Sequence, residues 1–354
     1  MKRVRTRAAG LAAIGLLAGL VFVTPAEAAH VACGETITAD TTLDGDIGPC
    51  DYNGIIIGAD DITINLNGHR IFGTDQPGDG AGVLMRGVSG ATVFNGTVED
   101  FDGGVVIEGG GGNSVGLITA RDNIGSSHGN VVAGVLYGDG IAVLASTNNR
   151  IVQNHVVGNG PFSGIGLYEN PDADHPGYTQ GPTTGNVVQR NVVEDNVACK
   201  PGSTGPFCDI SGIRIEPDVG PNNVIRENEV TGNGLDGISL FGRVNGNRVI
   251  RNVVSGNGFL GAVRGDGIRV FGFRNLIQGN ESFDNATSGI SVGRRGIAAP
   301  GSLAPPNGRD NQILDNETGG NGFLDLHDSN PDCDNNIWRG NTGALAAPPC
   351  TLTP

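Results

Sequence analysis

The sequence predicts an all-β fold, a parallel β-solenoid of stacked coils, and three observations support this prediction. Asparagine recurs every five residues in triplets such as Asn223, Asn228 and Asn233. A glycine-led aliphatic strand follows each triplet, as in residues 237–240. The chain has 61 glycines without the every-third-residue period of collagen, which indicates many tight turns. Each coil is too thin to bury its own core, so the coils are stable only when stacked.

The first residues have the composition of a secretion signal. Basic residues between Lys2 and Arg7 precede an apolar run over residues 8–23, and Ala-Glu-Ala at 26–28 is a small-x-small cleavage site. We therefore predict a signal peptide over residues 1–28 and a secreted mature chain, extracellular or at the cell surface. The apolar run is short for a membrane span and no later stretch replaces it, so membrane insertion is not expected.

The mature chain is strongly acidic. Cleavage reduces the 22 Lys+Arg and 37 Asp+Glu to 18 and 36, a formal net charge of −18. Binding to nucleic acid or to an anionic membrane surface is therefore not expected. Lys200 is the one lysine left after cleavage, so cationic contacts fall to arginine or histidine.

We interpret residues 29–354 as a single domain, with an N-terminal cap at about 29–59 and a disulfide-closed tail at about 333–354. The cap has no asparagine pattern, whereas residues 61–72 alternate as a strand does. Degenerate copies follow, in one of which Ile118 replaces the middle asparagine. The strict triplets are Asn149/Asn154/Asn159, Asn186/Asn191/Asn196, Asn223/Asn228/Asn233, Asn247/Asn252/Asn257, Asn275/Asn280/Asn285 and Asn311/Asn316/Asn321, with Asn336/Asn341 as a truncated copy.

Two short strands lie between the asparagines of each triplet. One apolar or small residue per five, such as Ile225 and then Val230, is too sparse for an amphipathic helix and suits a strand and a turn. Asparagine tolerates the left-handed backbone and can bond to an equivalent asparagine one coil away. We predict an asparagine ladder in a solenoid of about ten coils, roughly 48 Å long.

The repeats resemble a known family. The units NNRIVQNHVVGNG (148–160), NNVIRENEVTGNG (222–234) and GNRVIRNVVSGNG (246–258) resemble the right-handed parallel β-helix repeats of exported bacterial proteins related in fold to pectate lyases. The opening segment DITINLNGHRIFG (61–73) is similar to the first coil of that group. The resemblance covers roughly residues 60–341 and implies a right-handed parallel β-helix. It implies no single activity, because the superfamily includes lyases, hydrolases, epimerases, adhesins and phage proteins.

The glycine-led strands indicate where a ligand would bind. Insertions of sequence border these strands on both sides, like two rims of a groove, and strand alternation turns every second side chain outward. Aromatic rings beside arginines suit a sugar chain with carboxylates or sulfates. An alternative interpretation, in which the phenylalanines pack under the flanking loops, stays open. The predicted ligand-binding residues are Tyr168, Arg214, Glu216, Phe241, Arg269 and Phe271.

Catalytic residues are harder to assign. The chain lacks the polygalacturonase motifs, the Asp-Pro-His motif of alginate epimerases and a lysine cluster suited to a lyase. Asp139, Asp236 and Asp266 could donate oxygens to calcium, but Asp-Gly is first a turn signal. No cofactor or metal is therefore assigned, and scarce methionine and scattered histidines argue against copper handling. The weak acid/base candidates are Asp172, Asp174, His175, Asp209 and Glu216.

Six cysteines in an exported chain indicate three disulfides, for which fifteen connectivities exist. Proximity in sequence favours one connectivity. The predicted pairs are Cys33–Cys50, Cys199–Cys208 and Cys333–Cys350.

Two functions remain open from the sequence. The first is a secreted carbohydrate-binding or polysaccharide-active protein of lyase or hydrolase type, whose partner is an extracellular polysaccharide or glycan. The second is a non-catalytic surface or structural binding module on a solenoid scaffold. We expect a monomer in either case.

Overall fold

The computed structural model describes residues 28–75, 80–125, 138–169, 181–197, 210–216, 219–258, 265–293, 308–330 and 332–352. In these residues the chain winds into a right-handed parallel β-helix, with its strands in three parallel sheets. Two short 3-10 helices, Cys333–Asn335 and Pro349–Leu352, lie near the C-terminal end. Within the described ranges, no helix is long and apolar enough to cross a membrane.

Most coils contribute one strand to each sheet. The first sheet contains Ala28–Ala29, Thr41–Leu43, Thr63–Asn65, Thr92–Glu99, Ser114–Arg121, Arg150–Val152, Val187–Gln189, Val224–Arg226, Arg248–Ile250, Leu276–Gln278, Gln312–Leu314 and Ile337–Arg339. The second contains Ile47–Cys50, Arg70–Gly73, His155–Val157, Val192–Glu194, Glu229–Thr231, Val253–Ser255, Glu281–Phe283 and Glu317–Gly319. The third contains Glu35–Ile37, Ile55–Ile57, Ala81–Arg86, Gly103–Glu108, Ile141–Leu144, Ser163–Tyr168, Ser211–Ile215, Ile238–Leu240, Ile268–Val270, Ser288–Val292, Leu324–Asp328 and Ala346–Ala347.

The first and second sheets are continuous at two coils. Strands Thr92–Glu99 and Ser114–Arg121 run through both sheets, pairing with first-sheet residues at one end and second-sheet residues at the other. These are the coils in which Gly96 and Ile118 occupy the register of the middle asparagine. Without that asparagine, the corner between the sheets is an uninterrupted strand.

The core is a column of aliphatic side chains inside the coils. Residues in register, such as Ile151, Val188, Ile225 and Val249, are fully buried. The alternation read from the sequence is confirmed here, because each strand turns one side chain inward onto its equivalents in the next coil. Trp338 closes this column at the C-terminal end.

The asparagine ladder is confirmed, and its hydrogen bonds explain the five-residue spacing. Asn191 donates both its backbone N–H and its Nδ2 to Oδ1 of Asn228, at 3.0 and 2.9 Å. Its Nδ2 also donates to the carbonyl oxygen of Ile151, at 2.9 Å. Each interior asparagine thus connects the coil before it to the coil after it. The left-handed backbone, which we expected at the asparagines, lies instead at the residue before each one, as at Arg190 and Glu227.

Glycine begins most third-sheet strands because two neighbouring elements approach its Cα closely. A Cβ at Gly212 would lie 2.4 Å from Cγ1 of Val230 and 2.7 Å from Nδ2 of Asn233. Gly237 faces Val254 and Asn257 in the same way. The glycine-led pattern is therefore a packing requirement of the ladder.

The ends of the solenoid continue the stack beyond the asparagine repeats. The third sheet has 12 strands in the described residues, against the about ten coils expected. The added strands include Glu35–Ile37 and Ile55–Ile57, within the predicted cap, and Ala346–Ala347, in the tail. These segments have no ladder asparagine, which is why the repeat pattern missed them.

Two of the predicted disulfides are present in the described residues. Cys33–Cys50 and Cys333–Cys350 each join cysteines 17 residues apart, one near each end of the solenoid. Cys199 and Cys208 lie outside the described residues, as does the predicted signal segment up to residue 27. Their pairing stays a prediction.

Candidate ligand surface on the third sheet

One outward column of the third sheet brings the predicted arginines into line. Pairing across the strands aligns Gly166 with Arg214, Arg214 with Ser239, and Ser239 with Arg269. Arg214 and Arg269 are thus two coils apart, about 9.6 Å at the usual strand spacing. The same column continues through Ser291 to His327, whose Nδ1 lies 3.3 Å from the Ser291 hydroxyl.

Aromatic rings pack against both guanidinium groups. The Cζ of Arg214 lies 5.0 Å from the ring centroid of Phe241 and 5.7 Å from that of Phe162. The Cζ of Arg269 lies 4.5 Å from the centroid of Phe271. Phe241 and Phe271 meet edge to face at 5.4 Å between centroids. Both arginines therefore have cation–π partners that orient their planar groups.

Carboxylates lie beside the same arginines. Arg214 forms an ion pair with Glu216, and Arg269 lies 3.9 Å from Oδ1 of Asp236 and 3.8 Å from Oδ2 of Asp266. Charges of both signs thus alternate along one face of the sheet. Burying this many ionised groups is costly unless they are paired, and such groupings are common at functional sites.

The expectation that these residues face solvent is wrong for most of them. Arg214, Arg269 and Phe271 are each 4% exposed, and Tyr168 is 7% exposed. Glu216 and Phe241 are half-buried. Alternation along a strand correctly predicts that these side chains leave the coil interior, but it does not predict what packs over them. Phe271 is buried and Phe241 is half-buried, and the flanking loops lie outside the described residues, so both interpretations of the phenylalanines stay open.

A buried polar cluster lies next to this column. Oδ1 of Asp139 accepts hydrogen bonds from the Tyr168 hydroxyl at 2.6 Å and the Ser163 hydroxyl at 2.9 Å. Burial raises the pKa of Asp139 to about 7, although the hydrogen bonds from Tyr168 and Ser163 lower it. Burial and the nearby Asp139 carboxylate also raise the pKa of Tyr168 well above its usual value.

Gly166 makes room for the Tyr168 ring. A Cβ at Gly166 would lie 2.2 Å from Cε2 and from the hydroxyl oxygen of Tyr168. The ring therefore folds back across the strand, which is how its hydroxyl reaches Asp139 in the preceding coil. In that preceding coil Ala142 has the register position of Gly166.

The other two Asp-Gly aspartates connect neighbouring coils. Oδ1 of Asp236 accepts backbone N–H bonds from Gly265 at 3.1 Å and Asp266 at 3.0 Å. Oδ1 of Asp266 accepts one from Ser288 at 2.9 Å. The turn interpretation of Asp-Gly missed these contacts, because they join residues about a coil apart in sequence.

Several buried polar atoms on this face have no hydrogen-bond partner among the described residues. They include Oδ2 of Asp139, the hydroxyls of Ser211 and Ser239, and Nε and Nη1 of Arg269. Burying a polar group without a hydrogen-bond partner lowers the stability of the folded state by about 1–3 kcal/mol, so native proteins contain few such groups. All of these atoms lie on or beside the third sheet.

An apolar cluster precedes the arginine column on this face. It contains Leu84, Val106, Ala142 and Leu144 and ends at Tyr168. Polar residues of earlier coils also lie here, namely Asp139 and the ion pair between Arg86 and Glu108.

Most of the predicted acid/base candidates cannot be placed on this surface. Asp172, Asp174, His175 and Asp209 lie outside the described residues, and only Glu216 is within them. Sequence reasoning missed Ser163, Phe162 and His327 as members of the face. The alternation of Leu324 and Leu326 could have indicated His327, but that strand lacks the glycine-isoleucine start used to align the others.

The stacked coils and ladders define a class of protein, the parallel β-helix repeat proteins. A family model described as "Right handed beta helix region" matches residues 46–254 and 207–347. The chain therefore belongs to the right-handed β-helix family. None of the curated proteins matches it.

Solved structures with the same fold are distant in sequence. The A-module of mannuronan C-5 epimerase AlgE4 from Azotobacter vinelandii has 14% identity and a TM-score of 0.52, over 90% of this chain and 79% of that one. Pectate lyase Pel9A has 11% identity and a TM-score of 0.52, over 91% and 82%. The Dettilon tailspike protein gp208 has 14% identity and a TM-score of 0.50, over 86% of this chain but only 54% of the tailspike chain. At these identities the likeness concerns the fold.

Proposed function

We propose that this chain is an exported protein that binds an acidic polysaccharide along the outer face of its third sheet. The observation that carries the proposal is the alignment of Arg214 and Arg269 in one outward column, each held against a phenylalanine ring. Arg214 and Arg269 are buried, so binding has to uncover them; once uncovered, two oriented guanidinium groups two coils apart can bind carboxylates on separate sugar units of one chain. The chain has a formal net charge of −15, so two aligned arginines are unusual for its composition.

Two further observations agree with this proposal. Disulfides at both ends of the solenoid and a basic, apolar N-terminal segment fit an exported protein. Among proteins of the same fold, AlgE4 is named for mannuronan and Pel9A for pectate. These names concern the neighbours, and the proposal for this chain depends on its own arginines.

Glycan binding by matched variants tests the proposal. The parent is measured against alginate, polygalacturonate and neutral dextran at low and high salt, and binding should favour the acidic chains and weaken with salt. Arg269→Gln removes a charge-assisted contact with a glycan carboxylate, which is worth about 1.5–3 kcal/mol. The variant should therefore bind acidic glycan roughly tenfold or more weakly than the parent. Arg339→Gln is the control, because Arg339 is exposed on the first sheet.

A variant with the opposite expected effect separates binding from folding defects. Glu216→Gln removes the carboxylate that pairs with Arg214, so it should bind acidic glycan as tightly as the parent or more tightly. An Arg214→Gln/Arg269→Gln double variant that keeps its fold and the parent affinity would show that this face is not the site.

A second candidate function, an enzyme acting on the same polysaccharide, is favoured by Asp139 and Tyr168. A carboxyl group with a pKa of about 7, hydrogen-bonded to a tyrosine hydroxyl, suits proton transfer near neutral pH. Release of reducing ends and of unsaturated products should then be lost in Asp139→Asn and Tyr168→Phe, with glycan binding retained. If the folded parent releases no product from any of the acidic glycans, the binding function stands alone.

A further inference from the structure

A second concave surface lies on the outer face of the first sheet. It is a shallow cavity of about 550 Å³ at the corner between the first and second sheets. Its lining includes Arg226, Arg248 and Arg251 together with the aliphatic side chains of Val224 and Ile250. It belongs to a different side of each coil from the third-sheet residues described above.

A missing side chain at Gly279 opens this cavity. Gly279 precedes a ladder asparagine and has a φ of 63°. The equivalent corner residues Gln153, Arg190, Glu227 and Arg251 have φ values between 54° and 59° and nevertheless carry side chains. A Cβ at Gly279 would meet only Cγ of Arg251, at an ordinary contact distance of 3.5 Å. Neither space nor backbone therefore excludes a side chain there.

Several arginines elsewhere on the described surface pair with carboxylates, whereas the cavity arginines, like Arg150 and Arg339, form no ion pair with a described residue. Arg86 pairs with Glu108, and Arg121 with Glu99. Among the described residues, no carboxylate forms an ion pair with Arg226, Arg248 or Arg251. Arg226 donates from Nη2 to Gln189 at 2.8 Å, and its Nε is buried without a partner; Arg248 and Arg251 are exposed.

The rest of the lining narrows the ligand class. Glu227, Asp315 and Gln278 border the arginines and can accept or donate hydrogen bonds to hydroxyl groups. The acidic side chains would repel a simple inorganic anion and would form no favourable contact with it. A ligand with a carboxylate, several hydroxyls and an apolar ring face matches arginines, carboxylates and aliphatic side chains together.

We propose that this cavity is a second binding site, which takes a carboxylate-bearing oligosaccharide. The carboxylate binds the guanidinium groups of Arg248 and Arg251, with the unpartnered Nε of Arg226 as a further donor. The sugar ring packs on Val224 and Ile250, and its hydroxyls bond to Glu227 and Asp315. The site is independent of the third-sheet surface and gives one chain a second point of contact with an acidic glycan.

Calorimetric titration with an oligogalacturonate tests this site, and its methyl-esterified form is the uncharged control. We expect the parent to bind the acidic form and not the ester. Arg248→Gln/Arg251→Gln should remove one class of sites or weaken it tenfold or more. Gly279→Gln should do the same while keeping every arginine, because it fills the cavity with a side chain that Gln153 shows the corner accepts. Arg150→Gln, exposed on the same sheet but outside the cavity, should bind like the parent.

Several outcomes would overturn the inference. One is an unchanged number and affinity of sites in both Arg248→Gln/Arg251→Gln and Gly279→Gln. Another is equal competition by inorganic sulfate, which would make the cavity a simple anion site. A third is concentration-dependent self-association of the parent that the double variant abolishes, which would make the partner a second copy of the chain. If Arg214→Gln/Arg269→Gln binds like the parent but Gly279→Gln does not, the third-sheet proposal fails and this one stands.

Discussion

The Tyr168 hydroxyl donates a 2.6 Å hydrogen bond to Oδ1 of Asp139, 29 residues earlier in the chain. The two residues meet because they occupy successive coils, and because Gly166 leaves space for the ring between them. Burial raises the pKa of the Asp139 carboxyl group to about 7, and the hydrogen bond from Tyr168 acts in the opposite direction.

We expect Asp139 to make the stability of the protein depend on pH. An unfolded aspartate titrates at about 3.9, so between roughly pH 4 and 7 the folded state binds more protons than the unfolded state. The contribution of Asp139 to the free energy of unfolding therefore falls as pH rises, by at most about 1.4 kcal/mol per pH unit. Asp139→Asn should remove this contribution.

Thermal unfolding of the parent and Asp139→Asn across that pH range measures the effect. The difference between their melting temperatures should shift in favour of the variant as pH rises. Asp310→Asn is a suitable control, because Asp310 is an aspartate for which burial is only partial. A difference between parent and Asp139→Asn that is constant with pH would contradict the prediction.

Gly166→Ala should displace the Tyr168 ring and break its bond to Asp139. The added Cβ would lie 2.2 Å from ring atoms, which is closer than carbon atoms approach in folded proteins. We expect destabilisation of about 1–3 kcal/mol, as is usual for overpacking in a dense interior. Proton exchange at the Tyr168 hydroxyl, followed by nuclear magnetic resonance, should become faster.

Ala142 supplies the control for that substitution. It occupies the same register position one coil earlier, where alanine is accommodated. Ala142→Gly should therefore leave the Tyr168–Asp139 contact unchanged, although it adds backbone freedom. An unperturbed Tyr168 in Gly166→Ala would mean that the ring position does not depend on the glycine.

The sequence predicts the fold well because the coil-forming features are local. Five-residue asparagine spacing and glycine-led strands each correspond to a hydrogen bond or close approach that every coil repeats, as Asn191 and Gly212 illustrate. The terminal coils escaped prediction because strands such as Ile55–Ile57 pair with their neighbours in the sheet without a ladder asparagine. No residue type there marks the repeat.

The candidate surface was harder to predict because its contacts join distant residues. Alternation places Arg214 and Arg269 on the outer side, but their burial depends on side chains such as Phe241 from another coil. Asp139 has the same Asp-Gly signature as any turn. Its function in joining coils follows only from the register, which brings it to Ser163 and Tyr168.

We expect the third cysteine pair to be Cys199–Cys208. The two other predicted pairs are present, and these are the remaining cysteines of the chain. Digestion without reduction should yield one linked peptide containing both residues, and reduction should separate it. A linked peptide joining Cys199 or Cys208 to Cys33, Cys50, Cys333 or Cys350 would contradict this pairing.

Removing the C-terminal disulfide should loosen the last coil more than the middle of the solenoid. Cys333–Cys350 joins residues 17 apart in sequence. In the chain-entropy model, a loop of this length stabilises the folded state by about 3 kcal/mol. Since each coil contacts mainly its neighbours, the loss in Cys333→Ser/Cys350→Ser should be local. Hydrogen exchange should speed up at Leu326, whose strand pairs with Ala346–Ala347, and stay slow at Val188. Equal acceleration at both would show that the solenoid unfolds as one unit.

The stability of the protein should depend more on asparagines inside the ladder than on those at its end. Oδ1 of Asn228 accepts from the backbone N–H and Nδ2 of Asn191, and its own Nδ2 donates to Val188 at 3.0 Å and Asn252 at 2.9 Å. Asn228→Ala leaves several buried groups without partners, at about 1–3 kcal/mol each, so we expect a loss of at least about 3 kcal/mol.

Asn341 is the matched control at the end of its ladder. It accepts from Asn316 and donates to Ile313, but it is only half-buried and donates to no further asparagine. Water can replace the hydrogen bonds that Asn341→Ala removes. This variant should therefore lose only about 1 kcal/mol in the free energy of unfolding. Urea unfolding of both variants measures the contrast. Equal losses would mean that the ladder bonds are as replaceable by water inside the solenoid as at its end.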